Sequence, residues 1–334
     1  MRSGSQCRKT EIMSIDWQEM AAGEFAAFEQ LLDPHIVLRN DVYWRQVRPF
    51  FYRPLLPFRE LVPAAVKPPP LARLGGFQHA VPPGERANSC LNLLLFENAE
   101  AYSLEQLDYN RKRQVKQAAK QFVIRPVADV REFKEQAYPV YLSFYERTHY
   151  QHGAQRQNRA FFFQWAEDLF QLPKVVILGG YRKGMLEGVS VSLLVEETLC
   201  YAMFFCNSES LRAGLSDLML HTVRDAAAQS RRVKQIFSGM YKGGNGLDDF
   251  YLLRGCQVVR KPALLNVNPL AAFFLKHFLS RYYAHMRGEI QKQGTGGNLP
   301  GKVFIAMSGH FSNSSVSQER SKESVSRSLT LESR

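Results

Sequence analysis

Apolar positions change their period several times along the chain, and each change marks an element. Trp17, Ala21, Phe25, Phe28 and Leu32 recur at helical spacing, behind a capping-box pair (Asp16, Glu19) and ahead of a stop at Asp33-Pro34. From 37 to 83 the texture is short and β-prone (Val42-Tyr43-Trp44, Phe50-Phe51-Tyr52, Leu61-Val62), broken by prolines. Such pieces predict edge strands and long connections. A buried strand is expected over 91–96 and a helix over 104–121, with Leu107, Val115 and Ala118-Ala119 inward.

The next stretch predicts a short strand at Val123-Ile124, a helix from Val130 through Tyr145, a polar loop over 146–153 and a helix over 159–172. Three strands follow at 174–178, 188–195 and 199–206. Gly179-Gly180 and Lys183-Gly184 punctuate the first connection, and Glu196-Glu197-Thr198 makes a hairpin turn. A helix then starts at Ser208 or Ser210, either a good N-cap, and buries Leu211, Leu215, Leu218, Thr222, Ala226 and Ala227. A strand over 235–240, a loop with Gly243, Gly244 and Gly246, a strand pair (252–259, 263–267) and an amphipathic helix over 270–290 complete the pattern. Residues 1–13 read as a disordered leader, with Met13 as an alternative start, and the Ser/Arg/Glu-rich end from 292 as a disordered tail.

Composition narrows the class. With 45% apolar residues in 334, the chain can bury a core. The five cysteines (Cys7, Cys90, Cys200, Cys206, Cys256) form no C-x-x-C pair, which fits a reducing compartment better than a disulfide framework or zinc site. No apolar run approaches the roughly 18 residues of a membrane span, so a cytoplasmic protein is expected. A net charge of +12 favours anionic partners: nucleotide phosphates, RNA or an acidic membrane. Arg111, Lys112, Arg113, Lys116 and Lys120 crowd one helix face, which is either simply solvated or a phosphate or RNA surface. The helix over 270–290 either docks on its own domain or makes peripheral membrane contact.

Few motifs carry chemistry. His149 and His152 stand three apart, but no carboxylate or cysteine pattern accompanies them, so plain surface exposure is the default and substrate contact is favoured over a metal. The glycines at 243–246 are neither a Walker loop nor a dinucleotide fingerprint and read as connection. Ser210, Leu211, Arg212, Ala213, Gly214, Leu215 and Ser216 sit at a strand-to-helix junction, where free amides and the helix dipole favour an anion.

At this junction the chain resembles the GNAT (acyl-CoA N-acyltransferase) superfamily, whose phosphate loop reads roughly R/Q-x-x-G-x-G/A. Gly214 and Ser216 align with it, Leu211 holds the leading position and Arg212 lies one place on. Three further pieces resemble the FemAB-like branch: the basic run 110–118, the helix 215–220, and Gly246 through Cys256, similar to "glxxFKxxfG" with Tyr251 where lysine is usual. The resemblance implies an α/β (α+β) fold: a GNAT-like mixed sheet flanked by helices, in two tandem halves. These would be a degenerate half at 14–103 and an acyltransferase half at 104–268, followed by the helix at 269–291. It implies transfer of an acyl group from an acyl-CoA-type donor to a small amine, without a metal. Ser210, Arg212, Ala213, Gly214, Leu215 and Ser216 would hold the donor phosphates. Tyr251, Tyr241, His149 or Glu146 would relay a proton, and Arg147, His152 and Phe250 would contact the acceptor. Two other readings stay open: an aminoacyl-tRNA donor with a cell-wall precursor as acceptor, and a non-catalytic binding module on a decayed scaffold. Oligomeric state is not legible.

Overall fold

The computed structural model describes residues 15–32, 35–149, 153–244 and 246–289. The expected leader (1–13) and tail (from 292) lie outside the described residues. Among the described residues twelve strands form one sheet: β1 (Glu19–Met20), β2 (Ile36–Arg39), β3 (Val42–Arg48), β4 (Phe51–Pro54), β5 (Gly76–Ala80), β6 (Ser89–Phe96), β7 (Val123–Pro126), β8 (Val176–Arg182), β9 (Met185–Val195), β10 (Thr198–Cys206), β11 (Gln235–Met240) and β12 (Gln257–Val267). Their order is β2-β3-β4-β5-β12-β6-β11-β10-β9-β8-β7, with β1 parallel to β9 off that path. The helices are α1 (Ala22–Gln30), α2 (Tyr109–Ala118), α3 (Val130–Thr148), α4 (Arg159–Phe170), α5 (Ser208–Arg212), α6 (Leu215–Ser230), α7 (Gly246–Leu252), α8 (Pro269–Phe278) and α9 (Ser280–Met286). The chain is thus a mixed α/β fold, a large mixed sheet flanked by helices, as the sequence implies.

Alternation along β6 sorts the two faces. Leu91, Leu93 and Leu95 enter one core with Phe25 of α1, Phe133 of α3 and Trp165 of α4. Leu94 and Phe96 enter the other with Met219 and Val223 of α6 and Tyr251 of α7. Burying each such side chain stabilises by about 1.5–3 kcal/mol. β8, β9 and β10 form the expected antiparallel meander.

Several boundaries differ from the sequence expectation, each for a physical reason. The first helix begins at Ala22, because Glu24 rather than Glu19 reaches back to the Ala21 amide (2.7 Å), while Glu19–Met20 pairs with β9. The basic helix shortens to Tyr109–Ala118, capped by Asp108. The stretch 146–153 is only partly loop: α3 continues to Thr148 and ends where His149 turns left-handed (φ 47°). Gly179 and Gly180 are no turn but lie inside β8. The final strand pair is one strand, β12. Pro262 is accommodated where the ladder to β5 begins, so its missing N–H costs little. The last helix breaks at Leu279, which lets α9 return to the sheet and bury Ala284 and Met286 while no residue of α8 is buried.

Candidate functional site

β10 and β11 run parallel but pair at only three rungs: Thr198 with Gln235, Leu199 with Ile236 and Cys200 with Phe237. Beyond them β10 is bulged between Tyr201 and Met203, and β11 between Phe237 and Gly239. Each strand stays bonded to its outer neighbour, β9 or β6, while no rung joins their inner edges. Bulges bend strands, so the pair parts into a slot. At the divergence Ser238 is buried, and its hydroxyl has no hydrogen-bond partner among the described residues. One lip of the slot is the segment 207–216; the other is 241–244.

The first lip is built on Glu187. Its Oε2 accepts from the Asn207 side chain (2.5 Å) and the buried Ser210 hydroxyl, and Arg182 lies 3.2 Å away. Burial pushes this carboxyl up, but the donors Ser210, Asn207 and Arg182 together outweigh that and hold it below its ordinary value. Asn207 caps α5 by accepting the Ser210 amide (2.8 Å). Ser210 is therefore committed to the scaffold. Gly214 then adopts φ +85°, a conformation that favours glycine, and α6 starts. The Leu215 and Ser216 amides, first in a 16-residue helix, lack intrahelical acceptors and sit at its positive end. Arg212 is exposed beside them and Ala213 half-buried. α2 lies against Gly214: a Cβ there would stand 3.5 Å from Ala118 Cβ. Asp217, in the first turn of α6, pairs with Arg254 (2.7 Å) and approaches Arg111 (3.8 Å), so its negative charge is offset.

Arg147 joins this lip directly. It donates to the Ser208 hydroxyl (3.0 Å) and to the Cys206 carbonyl (3.1 Å), docking the end of α3 on β10 and α5. Glu146 and His149 flank it, both exposed, and His152 lies outside the described residues. Tyr241 is half-buried on the second lip, its amide donating to the Asn92 carbonyl. Burial, helped by Asp248 and Asp249, pushes its phenol up. Tyr251 is only 3% exposed and packs edge-on against Phe96 and Phe250. Burial pushes its phenol well above the usual range, so it stays protonated. Phe250 carries the Arg254 guanidinium over its ring at 3.6 Å. The structure thus groups Arg147 with the 207–216 segment, and Phe250 and Tyr251 with the far side of α6.

Sequence reasoning missed the second lip's cation and the cavity beside it. Lys242 follows β11; its amide and that of Gly244 donate to Asp248 (3.0 and 2.9 Å), which shapes the glycine turn. Burial lowers the Lys242 ammonium, against the pull of Asp248. His285 is lowered by burial and then by its neighbours Arg53 and Lys242. A cavity of ≈ 80 Å³ lies beside the last rung, lined by Cys200, Ala202, Phe237, Met240, Arg53 and a buried Glu29–Arg45 ion pair. About 10–15 Å³ of such space holds one water, so a few small groups fit. Neither the charged pair, split between α1 and β3, nor Lys242 forms a linear motif. Among the described residues no group of three or more His, Cys, Asp or Glu is placed to share a metal ion.

No protein-family model matches the chain, and no curated protein matches it. Solved structures similar to it include the C-terminal domain of a protein described as a lysylphosphatidylglycerol synthetase from Agrobacterium fabrum (12% identity, covering 83% of this chain and 95% of that one, TM-score 0.49). L-PGS from Bacillus licheniformis is another (10% identity, 81% and 99% covered, TM-score 0.45). FemX is a third (8% identity, 56% and 63% covered, TM-score 0.43). A tandem GNAT protein from the clavulanic acid biosynthesis pathway and a GCN5-related N-acetyltransferase from Kribbella flavida are also similar to it.

Proposed function

We propose that the chain is an N-acyltransferase, moving an acyl group from a phosphate-bearing thioester of the acyl-CoA type to an amine. The observation that carries this reading is the parting of β10 from β11 after Cys200 and Phe237, with a helix N-terminus on one lip and a lysine on the other. A slot between parting strands exposes backbone groups that an extended donor chain can pair with, and Ser238 adds an unused hydroxyl. The amides of Leu215 and Ser216, with Arg212, would take the donor phosphates beside Gly214, whose own amide donates to the Leu211 carbonyl (3.2 Å), and Ala213 would let them approach closely. Ser210 would act through Glu187, by fixing the loop.

The chemistry asked of the protein is small. The amine nitrogen bonds to the thioester carbonyl, the C–S bond breaks, the thiolate leaves with a proton and the amine loses one. Alignment supplies most of the rate gain, and a donor near the carbonyl oxygen stabilises the tetrahedral oxyanion. Tyr241, on the slot's lip, is the favoured proton relay; His149 and Glu146 stand near the other lip, and Tyr251 would act only on a group reaching its cluster. Arg147 and Phe250 are proposed acceptor contacts. The Glu29–Arg45 pair beside the cavity adds charges that could orient a polar acceptor.

Incubation with a panel of acyl-CoAs and amines, followed by mass spectrometry, tests the reading. Amide product that requires the protein and falls by roughly 10²-fold or more in Tyr241→Phe supports it; no product with any pair counts against catalysis and favours a binding module. One observation favours an aminoacyl-tRNA donor instead: Lys112, Arg113, Lys116 and Lys120 line one groove along α2. That version requires steeply salt-dependent RNA binding lost on reversing those charges.

A further inference from the structure

α8 is an amphipathic helix that touches its own domain through Leu275, half-buried against Phe51, Leu265 and Met286, and leaves most of its apolar side chains outward. Leu270, Phe273, Phe274, Phe278 and Leu279 are all exposed, Leu270 and Phe278 by more than 70% (72% and 73%), and none of its residues is buried. The patch extends beyond the helix. Asn268, which caps α8, donates through its side chain to the Arg73 carbonyl (2.9 Å) and through its amide to the Gly75 carbonyl (3.0 Å). Gly76 in turn donates to the Phe50 carbonyl (3.1 Å). These bonds bring exposed Leu71, Leu74 and Phe50 to the same end of the molecule. Apolar patches built from several segments mark interaction sites.

Charge identifies the partner. The stretches 42–59, 61–84 and 257–288, which build this end, contain no Asp or Glu, in a chain with 31 acidic residues. They carry Arg45, Arg48, Arg53 and Arg59; Lys67 and Arg73; and Arg260, Lys261, Lys276, Arg281 and Arg287, of which Arg45, Arg59, Lys261 and Arg287 pair with Glu29, Glu196, Glu60 and Glu289 of neighbouring segments. Arg73, Lys276 and Arg281 are exposed, and none pairs with a carboxylate among the described residues. We infer that this face docks on the surface of a bilayer containing anionic lipids, with the α8 side chains in the acyl boundary and the basic residues among the headgroups.

Other occupants fit less well. A second copy would set the exposed Arg73, Lys276 and Arg281 of one basic face against those of another, which repels. Residues 290–334 bring six Lys or Arg and three Glu, so they do not complement the charge. RNA would match the charge but leave Leu270, Phe274 and Phe278 in water. No described helix is long and apolar enough to cross a membrane, so the contact is interfacial.

Sedimentation of the full chain with phosphatidylcholine vesicles, with and without an equal part of phosphatidylglycerol, tests this. Binding to the anionic vesicles alone is expected, weakened by salt. Phe274→Asp with Phe278→Asp should cut it roughly tenfold. Lys276→Glu with Arg281→Glu should cut it by about 25-fold or more, roughly fivefold for each positive charge lost. All four positions are exposed, and circular dichroism checks that the variants fold. Failure of the full chain to sediment with anionic vesicles overturns the inference, as does equal binding by the variants. So does a dimer that Phe278→Asp dissociates, or RNA binding in place of vesicle binding. The result is independent of acyl transfer, which is read by product formation.

Discussion

Leu215 fills the hollow left by Gly180. A Cβ built on Gly180 would lie 2.5 Å from Leu215 Cδ1, and one on Gly188, the cross-strand partner of Gly180, would lie 2.7 Å from Leu215 Cδ2. The first residue of α6 is thereby plugged into a pit between β8 and β9, which fixes where the helix N-terminus points. Gly188→Ala should destabilise the fold by about 1–3 kcal/mol through overpacking, since Cys206 Cβ blocks the other side at 2.8 Å. Leu215→Ala should cost about 2–5 kcal/mol by leaving a cavity. Urea unfolding measures both, and a neutral Gly188→Ala would show that the pit does not hold α6.

Arg254 and Asp217, each 7% exposed at the side chain, tie the segment after α7 to the first turn of α6. Removing one partner leaves a buried charge, so Asp217→Asn and Arg254→Met should each destabilise by about 3–5 kcal/mol. The double variant should recover part of that. A double-mutant cycle by chemical denaturation reads the coupling, and additive losses would contradict it.

Glu187 gives the 207–216 segment a pH dependence. Its folded-state value is lowered, so its contribution to stability is present above its unfolded value of 4.5 and is lost as pH falls through the lowered one. Thermal unfolding followed downward from pH 4.5 should fall more steeply for the wild type than for Glu187→Gln, the two curves converging in acid. Parallel curves would show that the carboxyl does not anchor the loop.

Tyr241→Phe and Tyr251→Phe should differ. Loss of the lip hydroxyl is expected to lower kcat by roughly 10²-fold or more with little change in KM, as for a general acid or base. Loss of the enclosed Tyr251 hydroxyl should leave kcat within about threefold, because removing a buried group's hydroxyl mainly alters packing. Steady-state kinetics of both variants decides it; equal losses would move the relay to Tyr251.

Much of the fold was legible. The period-2 and period-3.6 patterns located the meander, α3, α4 and α6, because their buried faces are long enough to carry a signal. Gly179-Gly180 misled because glycine marks either a turn or a close approach, and only Leu215, far along the chain, distinguishes them. β12 was hidden by Pro262, whose tolerance depends on where β5 joins. At the site, the Ser210 to Ser216 junction was legible through its caps and glycine, yet the role of Ser210 depended on Glu187, a lone acid in an apolar strand. Lys242 and the Glu29–Arg45 pair carried no linear signal. The Glu29–Arg45 pair reaches the cavity only because the sheet brings β3, β10 and β11 together there.

On the proposed reading, the α6 N-terminus and the slot beside it hold a phosphate-bearing acyl donor. Isothermal titration of coenzyme A into the full chain, with the wild type and Arg212→Glu side by side, tests it most directly. Saturable one-site binding that weakens at least tenfold in Arg212→Glu, an exposed position whose replacement spares the fold, is the predicted result. No heat of binding with coenzyme A or any acyl-CoA, or equal affinity in the two proteins, would contradict it.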